Sequence, residues 1–285
     1  VNPLRVLVTG SKGQLGTELG ALVARTAGLE LLGVDLPEVD LTDRAGVLEL
    51  LEGARPGLVL HAAAFTAVDR CESEPELAFR SNALATRFVA EGARRVGAHV
   101  VYVSTDYVFD GTKPTPYHEW DRPNPRSVYG ASKLGGEQEL DPAWTVARTS
   151  WVCSAQGQNM VRTLLRLADE RDTVSFVDDQ IGHPTFASDL AGMVLRLGLE
   201  RLPGVFHTTN SGVVSWYGFA RAVFAEAGHD PDRVRPIRTD QLDPPRPAPR
   251  PANSVLDDLA WRGAGFERAR DFHEPLAEVV ASLRR

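Results

Sequence analysis

Apolar positions along the chain follow two alternating rhythms. Arg5 to Gly10 (RVLVTG) is a short aliphatic and β-branched run entering a glycine, which predicts a buried strand. Leu15, Leu19, Leu22 and Val23 then recur at helical spacing. Leu29 to Asp35 (LELLGVD) reads as a second strand closing on an acid, and Val47, Leu48, Leu50 and Leu51 mark a helix within Asp43 to Ala54. Gly57 to Ala64 (GLVLHAAA) predicts a third strand, Ala78 to Val96 a long helix, and His99 to Thr105 (HVVYVST) a fourth strand. This alternation predicts an α/β fold: a doubly wound parallel sheet covered by helices on both faces.

The rhythm changes after Thr105. Pro114, Pro116, Pro123 and Pro125 mark a loop before a helix around Tyr129 to Leu140. Trp144 to Trp151 (WTVARTSW) predicts another strand. Asn159 to Arg171 and Ser188 to Leu199 predict helices, and Thr173 to Val177 a strand. Leu242 to Pro251 (LDPPRPAPRP) has the composition of a surface linker. No repeat recurs at a fixed period, which argues against solenoids and propellers. A length of 285 residues suits one large α/β domain or two lobes.

Charge and cysteine usage narrow the function. Thirty-one basic against thirty-eight acidic side chains give a net charge of −7, without the footprint of a general nucleic-acid binder. A pocket can still hold one anionic ligand through a few local donors. Cys71 and Cys153 are too few for a disulfide framework or a multi-cysteine zinc site, so two buried free thiols are expected. Apolar runs such as Leu58 to Ala64 are too short to span a membrane. No basic stretch, apolar run and cleavage pattern opens the chain. The expectation is a cytoplasmic protein with no nucleic-acid or membrane partner.

Candidate chemistry begins at Gly10-Ser11-Lys12-Gly13-Gln14-Leu15-Gly16, a GxxGxxG loop between the first strand and the first helix. Glycine permits the tight turn and lets backbone N–H groups approach a pyrophosphate. The helix N-terminus adds partial positive charge. The spacing departs from GxGxxG, but the strand–loop–helix context is the required one. Asp35 closes the second strand about twenty residues on, where the ribose hydroxyls of a dinucleotide would sit. A carboxylate there favours NADH and repels the 2′-phosphate of NADPH. Lys12 offers an offsetting charge, which leaves both cofactors open.

The second constellation is Tyr129-Gly130-Ala131-Ser132-Lys133. Tyrosine and lysine four apart share one helix face. A free phenol, with a pKa near ~10, is a poor acid at neutral pH, and a neighbouring ammonium is expected to bring it down. Ser104-Thr105-Asp106-Tyr107 ends the strand before it and offers a hydroxyl to the same carbonyl oxygen.

Together these motifs resemble the extended short-chain dehydrogenases/reductases. Longer strings are similar to the dTDP-4-dehydrorhamnose reductase family: Ala62 to Asp69 (AAAFTAVD), Glu72 to Pro75 (ESEP), Asn82-Ala83, Ser104 to Gly111 (STDYVFDG) and Arg148 to Val152 (RTSWV). Asp179-Gln180, Pro184-Thr185 and Arg250 to Ser254 (RPANS) extend the resemblance over nearly the whole chain. It implies a Rossmann-type domain over 1–151 and, over 152–285, mainly a smaller C-terminal substrate-binding lobe. Some segments around 173–210 would return to the first domain.

The implied reaction is reduction of the 4-keto group of dTDP-4-dehydro-6-deoxy-L-mannose by NADH or NADPH. Tyr129 would give a proton to the sugar oxygen, Lys133 would bind the nicotinamide ribose and tune Tyr129, and Thr105 would orient the carbonyl. Asp40 and Leu41 match the adenine side, and Ala62, Ala63 and Ala64 the strand end beside the cofactor. Thr66, Val68, Asp106, Tyr107 and Trp151 match the sugar-nucleotide pocket, with Asn159 and Arg250 placed at the phosphate or sugar. The resemblance also makes the proline-rich stretch an ordered loop and leaves a homodimer open.

The chain departs from the family's pattern at Phe65, Cys153 and His183. Ser188, with Asp189 beside it, stands where some relatives carry a magnesium-binding glutamate, so no metal is expected. Rival readings on the same fold are a dehydratase, an epimerase, a ketoreductase for another dTDP-deoxysugar, and a non-catalytic subunit resembling the regulator of methionine adenosyltransferase. A dehydratase needs a glutamate after Thr105-Asp106, where this chain has Tyr107.

Overall fold

The computed structural model describes residues 2–284. β1 (Leu4–Thr9) leads into α1 (Gln14–Arg25), β2 (Leu29–Val34), α2 (Arg44–Ala54) and β3 (Leu58–His61). Then come α3 (Val68–Ser73), α4 (Pro75–Phe79), α5 (Ala85–Val96), β4 (His99–Thr105), α6 (Val128–Glu137) and β5 (Thr145–Thr149). The second half holds β6 (Val152–Cys153), α7 (Met160–Glu170), β7 (Val174–Val177), β8 (Ile181–Gly182), β9 (Thr185–Phe186) and α8 (Ala187–Leu199). It continues with β10 (Gly204–His207), β11 (Val214–Ser215), α9 (Trp216–Glu226), β12 (Val234–Ile237), α10 (Leu259–Gly263) and α11 (His273–Leu283).

Alternate residues of β1 face opposite helix layers, as a doubly wound sheet requires. Val6 and Val8 pack with Leu15 and Leu19 of α1 and with Leu190 and Val194 of α8. Leu7 faces the other way, onto Val47 and Leu51 of α2 and Val89 and Ala93 of α5. The large sheet has the order β10-β5-β4-β3-β1-β2, and every pair in it is parallel. The chain reverses direction across the sheet between β1 and β3. Ligands of open α/β sheets bind at such a switch point, outside the carboxyl ends of the strands.

A second core lies under the later part of the chain. Val161 and Leu164 of α7, Phe219 and Phe224 of α9, and Leu276 and Val280 of α11 pack together with Cys153 and Phe186. Both cysteines are free and buried. No described helix is long and apolar enough to cross a membrane.

Two elements differ from the sequence expectation. The predicted helix Ala78–Val96 is α4 and α5 joined by a π-helical turn, Arg80–Leu84. One extra residue per turn barely disturbs the apolar spacing, so periodicity does not reveal it. The strand predicted to reach Trp151 ends at Thr149, because Trp151 takes a left-handed backbone conformation with φ +46°. Within 173–210, α8 and β10 join the large sheet layer, but β7 does not. β7 pairs in parallel with β12, and Val174 and Phe176 pack against the second core.

Candidate active site

The glycine loop is shaped by contacts that leave no room for side chains. Gly10 has φ +68°, and a Cβ there would come within 2.8 Å of the Ala63 backbone. A Cβ on Gly16 would sit 1.9 Å from the Gly10 carbonyl oxygen. Gly13 is the N-cap of α1 and has no side-chain cap, so the first-turn N–H groups are left to a ligand. These are the features a pyrophosphate cradle needs. Gln14 ties the loop to the second half of the chain: its amide donates to the Gln158 carbonyl (3.4 Å) and its oxygen accepts from Ser154 (3.1 Å).

Asp35 stands at the mouth of this loop. Its two oxygens accept from the Lys12 N–H and the Leu36 N–H, each at 2.8 Å. Lys12 is not free to offset it: the ammonium donates to both Glu38 oxygens (2.6 and 2.8 Å) and to the Leu36 carbonyl (3.1 Å). Asp40 accepts from the N–H and hydroxyl of Thr42, both at 2.8 Å, and these bonds hold its carboxyl below the usual range. Leu41 turns its side chain onto the core beside α2 and α5.

Ala62, Ala63 and Ala64 follow β3 directly and form the facing wall. Thr9 and His61 brace it. The Thr9 hydroxyl lies 2.7 Å from His61 Nδ1 and accepts from the Ala63 N–H at 3.3 Å. His61 is fully buried; burial, with the nearby Lys133 charge, pushes its pKa down to about 3, so the ring is neutral.

Ser127 caps α6 by accepting from the Gly130 N–H (3.1 Å) and so starts the helix just before Tyr129. Gly130 is required by close approach, since a Cβ there would lie 2.1 Å from the Tyr107 carbonyl oxygen. Tyr129 is buried and meets the Tyr107 ring edge-on, with centroids 5.5 Å apart. Lys133 is buried with its ammonium 4.0 Å from the centre of the Tyr102 ring.

The electrostatics differ from the sequence expectation. Burial holds the Tyr129 phenol above its ordinary pKa, with the neighbouring Thr105 hydroxyl working against it, and Lys133 is not among the causes. Burial also pulls Lys133 down to about 7, opposed by Glu137. Desolvation therefore outweighs the pairing that the four-residue spacing suggests. Tyr129 is a protonated phenol at neutral pH, which is the form a proton donor needs.

Thr105 ends β4 beside this pair. Its hydroxyl donates to Asp106 Oδ1 at 2.9 Å and accepts from the Tyr107 N–H at 3.2 Å. Asp106 is buried, and its Oδ2 has no partner. Burial raises its pKa to about 6. An unpartnered buried carboxylate oxygen is costly, and a ligand hydroxyl would satisfy it. Val68 packs with Tyr129 and Tyr107 in one small cluster, whereas Thr66 is exposed. Trp151 stacks on Trp216 with ring centres 3.7 Å apart.

Two other expected residues are occupied by the protein itself. Asn159 caps α7 by accepting from the Arg162 N–H (3.3 Å) and donates to the Ser154 carbonyl (2.8 Å). Arg250 forms a two-pronged pair with Asp69, at 2.8 Å through one prong, and lies beside the Tyr107 hydroxyl. Asp69 also accepts from the Ala248 N–H (3.1 Å), so it fastens the proline-rich stretch onto α3. That stretch is an ordered strap held against α3, with Arg250 beside Tyr107.

Sequence reasoning assigned no role to Asn82, Glu137 or His61. Asn82 sits in the π-helical turn. Its amide donates to the Phe65 carbonyl (3.1 Å) and the Ser132 hydroxyl (2.9 Å), and its oxygen accepts from the Phe65 N–H (2.7 Å). It thus locks the loop after β3 to α6, and such turns often mark functional sites. Glu137 lies on the Tyr129–Lys133 face of α6, eight residues past Tyr129; that spacing is its only signal in the sequence. Asp189 is committed to Arg270 (3.0 Å) and Asn210 (2.6 Å).

The family model for the RmlD substrate binding domain matches residues 4–285. A dTDP-4-dehydrorhamnose reductase from Streptomyces griseus is 41% identical over 98% of this chain and 94% of its own length. The crystal structure of a dTDP-4-dehydrorhamnose reductase from Clostridium acetobutylicum superposes with a TM-score of 0.95 at 37% identity, covering 99% of this chain and all of that one. One from Bacillus anthracis, in complex with NADP, has a TM-score of 0.92 at 36% identity over 98% of this chain and 99% of its own. With the glycine loop, Thr105, Tyr129 and Lys133 gathered at the carboxyl edge of one parallel sheet, this chain belongs to the dTDP-4-dehydrorhamnose reductase family.

Proposed function

We propose that the chain reduces the 4-keto group of dTDP-4-dehydro-6-deoxy-L-mannose with NADPH or NADH, giving dTDP-L-rhamnose. What supports this reading is a buried Tyr129 beside Thr105, together with a glycine loop that has no room for side chains at the N-terminus of α1. The cofactor, when bound, supplies the hydride. Gly10, Gly13 and Gly16 with the N-terminus of α1 hold its pyrophosphate, and Asp35 its adenosine ribose. Tyr129 donates its proton to the sugar oxygen as the ketone becomes an alcohol. The Thr105 hydroxyl has one proton; turned from Asp106 Oδ1 to the sugar oxygen, it lines that oxygen up. Lys133, on the same helix face, offers positive charge to the phenolate left behind. Asp106 Oδ2 accepts from a sugar hydroxyl, and the strap bearing Arg250 closes the nucleotide side.

Asp35, with Glu38 holding Lys12, sets the cofactor preference toward NADH. Asp35→Ala is expected to raise the KM for NADH by about tenfold, the loss of one charge-assisted hydrogen bond, and that for NADPH by less. Steady-state kinetics with each cofactor checks this; equal losses contradict the ribose role. The reaction itself is tested by supplying the keto sugar and following cofactor absorbance. Tight cofactor binding without turnover would favour the regulatory-subunit reading.

A further inference from the structure

Trp151 is held in a conformation that bulky side chains avoid. Its φ of +46° lies in the left-handed region, where a non-glycine residue persists only when its surroundings over-determine it. Those surroundings come from later in the chain. The indole lies nearly parallel to that of Trp216, with ring centres 3.7 Å apart and planes 11° from parallel. Its edge abuts Gly182, where a Cβ would come within 2.9 Å of Trp151 Cε2 and 2.6 Å of the Ser254 hydroxyl. The Trp151 carbonyl accepts from the Thr185 N–H at 3.3 Å.

Trp216 is itself firmly placed. It is the first residue of α9, whose cap is Ser215 accepting from the Gly218 N–H at 3.0 Å. Its own N–H donates to the Gln180 carbonyl at 3.3 Å. Its ring meets Phe219 edge-on at 6.1 Å, and Phe219 is fully buried in the second core. Gly182 pairs with Val214, so the β8–β11 pair delivers both contacts to the indole. A residue just past the end of β5 is therefore pinned by the second core.

We infer that Trp216 is a positioning residue for the sugar-nucleotide site, acting by holding Trp151 in its strained orientation against Gly182. This rests on the reading that Trp151 lines that pocket. It assigns Trp216 no direct contact with the reacting atoms. Its loss therefore weakens substrate binding more than the chemical step.

The test combines a spectrum with kinetics. Two stacked indoles give a coupled band in near-ultraviolet circular dichroism, expected in the native enzyme and absent from both Trp151→Phe and Trp216→Phe. Trp216→Leu is expected to raise the KM for the dTDP-sugar by about tenfold, with kcat and the NADPH dissociation constant each changed by less than about threefold. Trp216→Phe, which keeps a flat ring, should recover most of that KM. Gly182→Ala pushes the Trp151 indole at its edge and should raise the KM similarly, which keeps the test open if Trp216→Leu does not fold. No coupled band in the native enzyme overturns the stack. An unchanged KM in Trp216→Leu or, failing that, in Gly182→Ala overturns the positioning role. An unchanged KM in Trp151→Ala instead overturns the placement of Trp151 in the pocket.

Discussion

Tyr129→Phe is expected to lower kcat by about 10²–10⁴-fold, the usual contribution of a positioned general acid. Phenylalanine keeps the ring that packs with Cys71, Ala78 and Val68 and meets Tyr107 edge-on, so the pocket retains its shape. What disappears is the one proton that burial keeps on the phenol at neutral pH. The glycine loop and Asp35 lie on other elements, so the NADPH dissociation constant should stay within about twofold. Stopped-flow turnover and cofactor fluorescence titration separate the two effects. Near-native turnover would remove Tyr129 from the chemistry, and loss of NADPH binding would mean that the variant disturbs more than the acid.

Glu137→Gln is expected to cost about 3–5 kcal/mol of stability, a fall of roughly 10 °C in the melting midpoint. Glu137 and Arg148 form an ion pair whose side chains are only 7% and 4% exposed. Glu137 Oε1 accepts from the Ser104 hydroxyl at 2.5 Å and Arg148 Nε at 2.9 Å, and Oε2 accepts from Arg148 Nη2 at 2.7 Å. Arg148 Nη1 is already buried without a partner, so removing the carboxylate strands a buried cation. The pair also fastens α6 to β4 and β5, and α6 carries Tyr129 and Lys133. The double change Glu137→Leu with Arg148→Met should recover much of the lost stability, because an apolar pair leaves no charge uncompensated. A fall of less than about 2 °C in the single variant would show that the cation finds other compensation. Exposed pairs such as Arg166–Glu170 should matter little to the same melt.

What the sequence disclosed followed the range of the interactions. The glycine loop, the acid closing β2 and the first four strands were legible because each is specified within a few neighbouring residues. The carboxylate of Asp35 meets Lys12 only 23 positions away, through the turn that joins β1 to α1. Composition alone makes the strap look like a linker, because its fastening to Asp69 spans 181 positions and leaves no trace in composition. The place of β10 beside β5 and the stacking of Trp151 on Trp216 are likewise products of tertiary packing. The shared helix face of Tyr129 and Lys133 was legible from their spacing. Their electrostatics were not, because spacing says nothing about burial, and burial decides both shifts.

The most direct measurement gives the purified protein dTDP-4-dehydro-6-deoxy-L-mannose with NADPH or NADH, follows the loss of reduced-cofactor absorbance, and assigns the product's C4 configuration by NMR. One cofactor oxidised per dTDP-L-rhamnose formed is the expected result. Tight cofactor binding without oxidation, or a product of opposite configuration at C4, would contradict it.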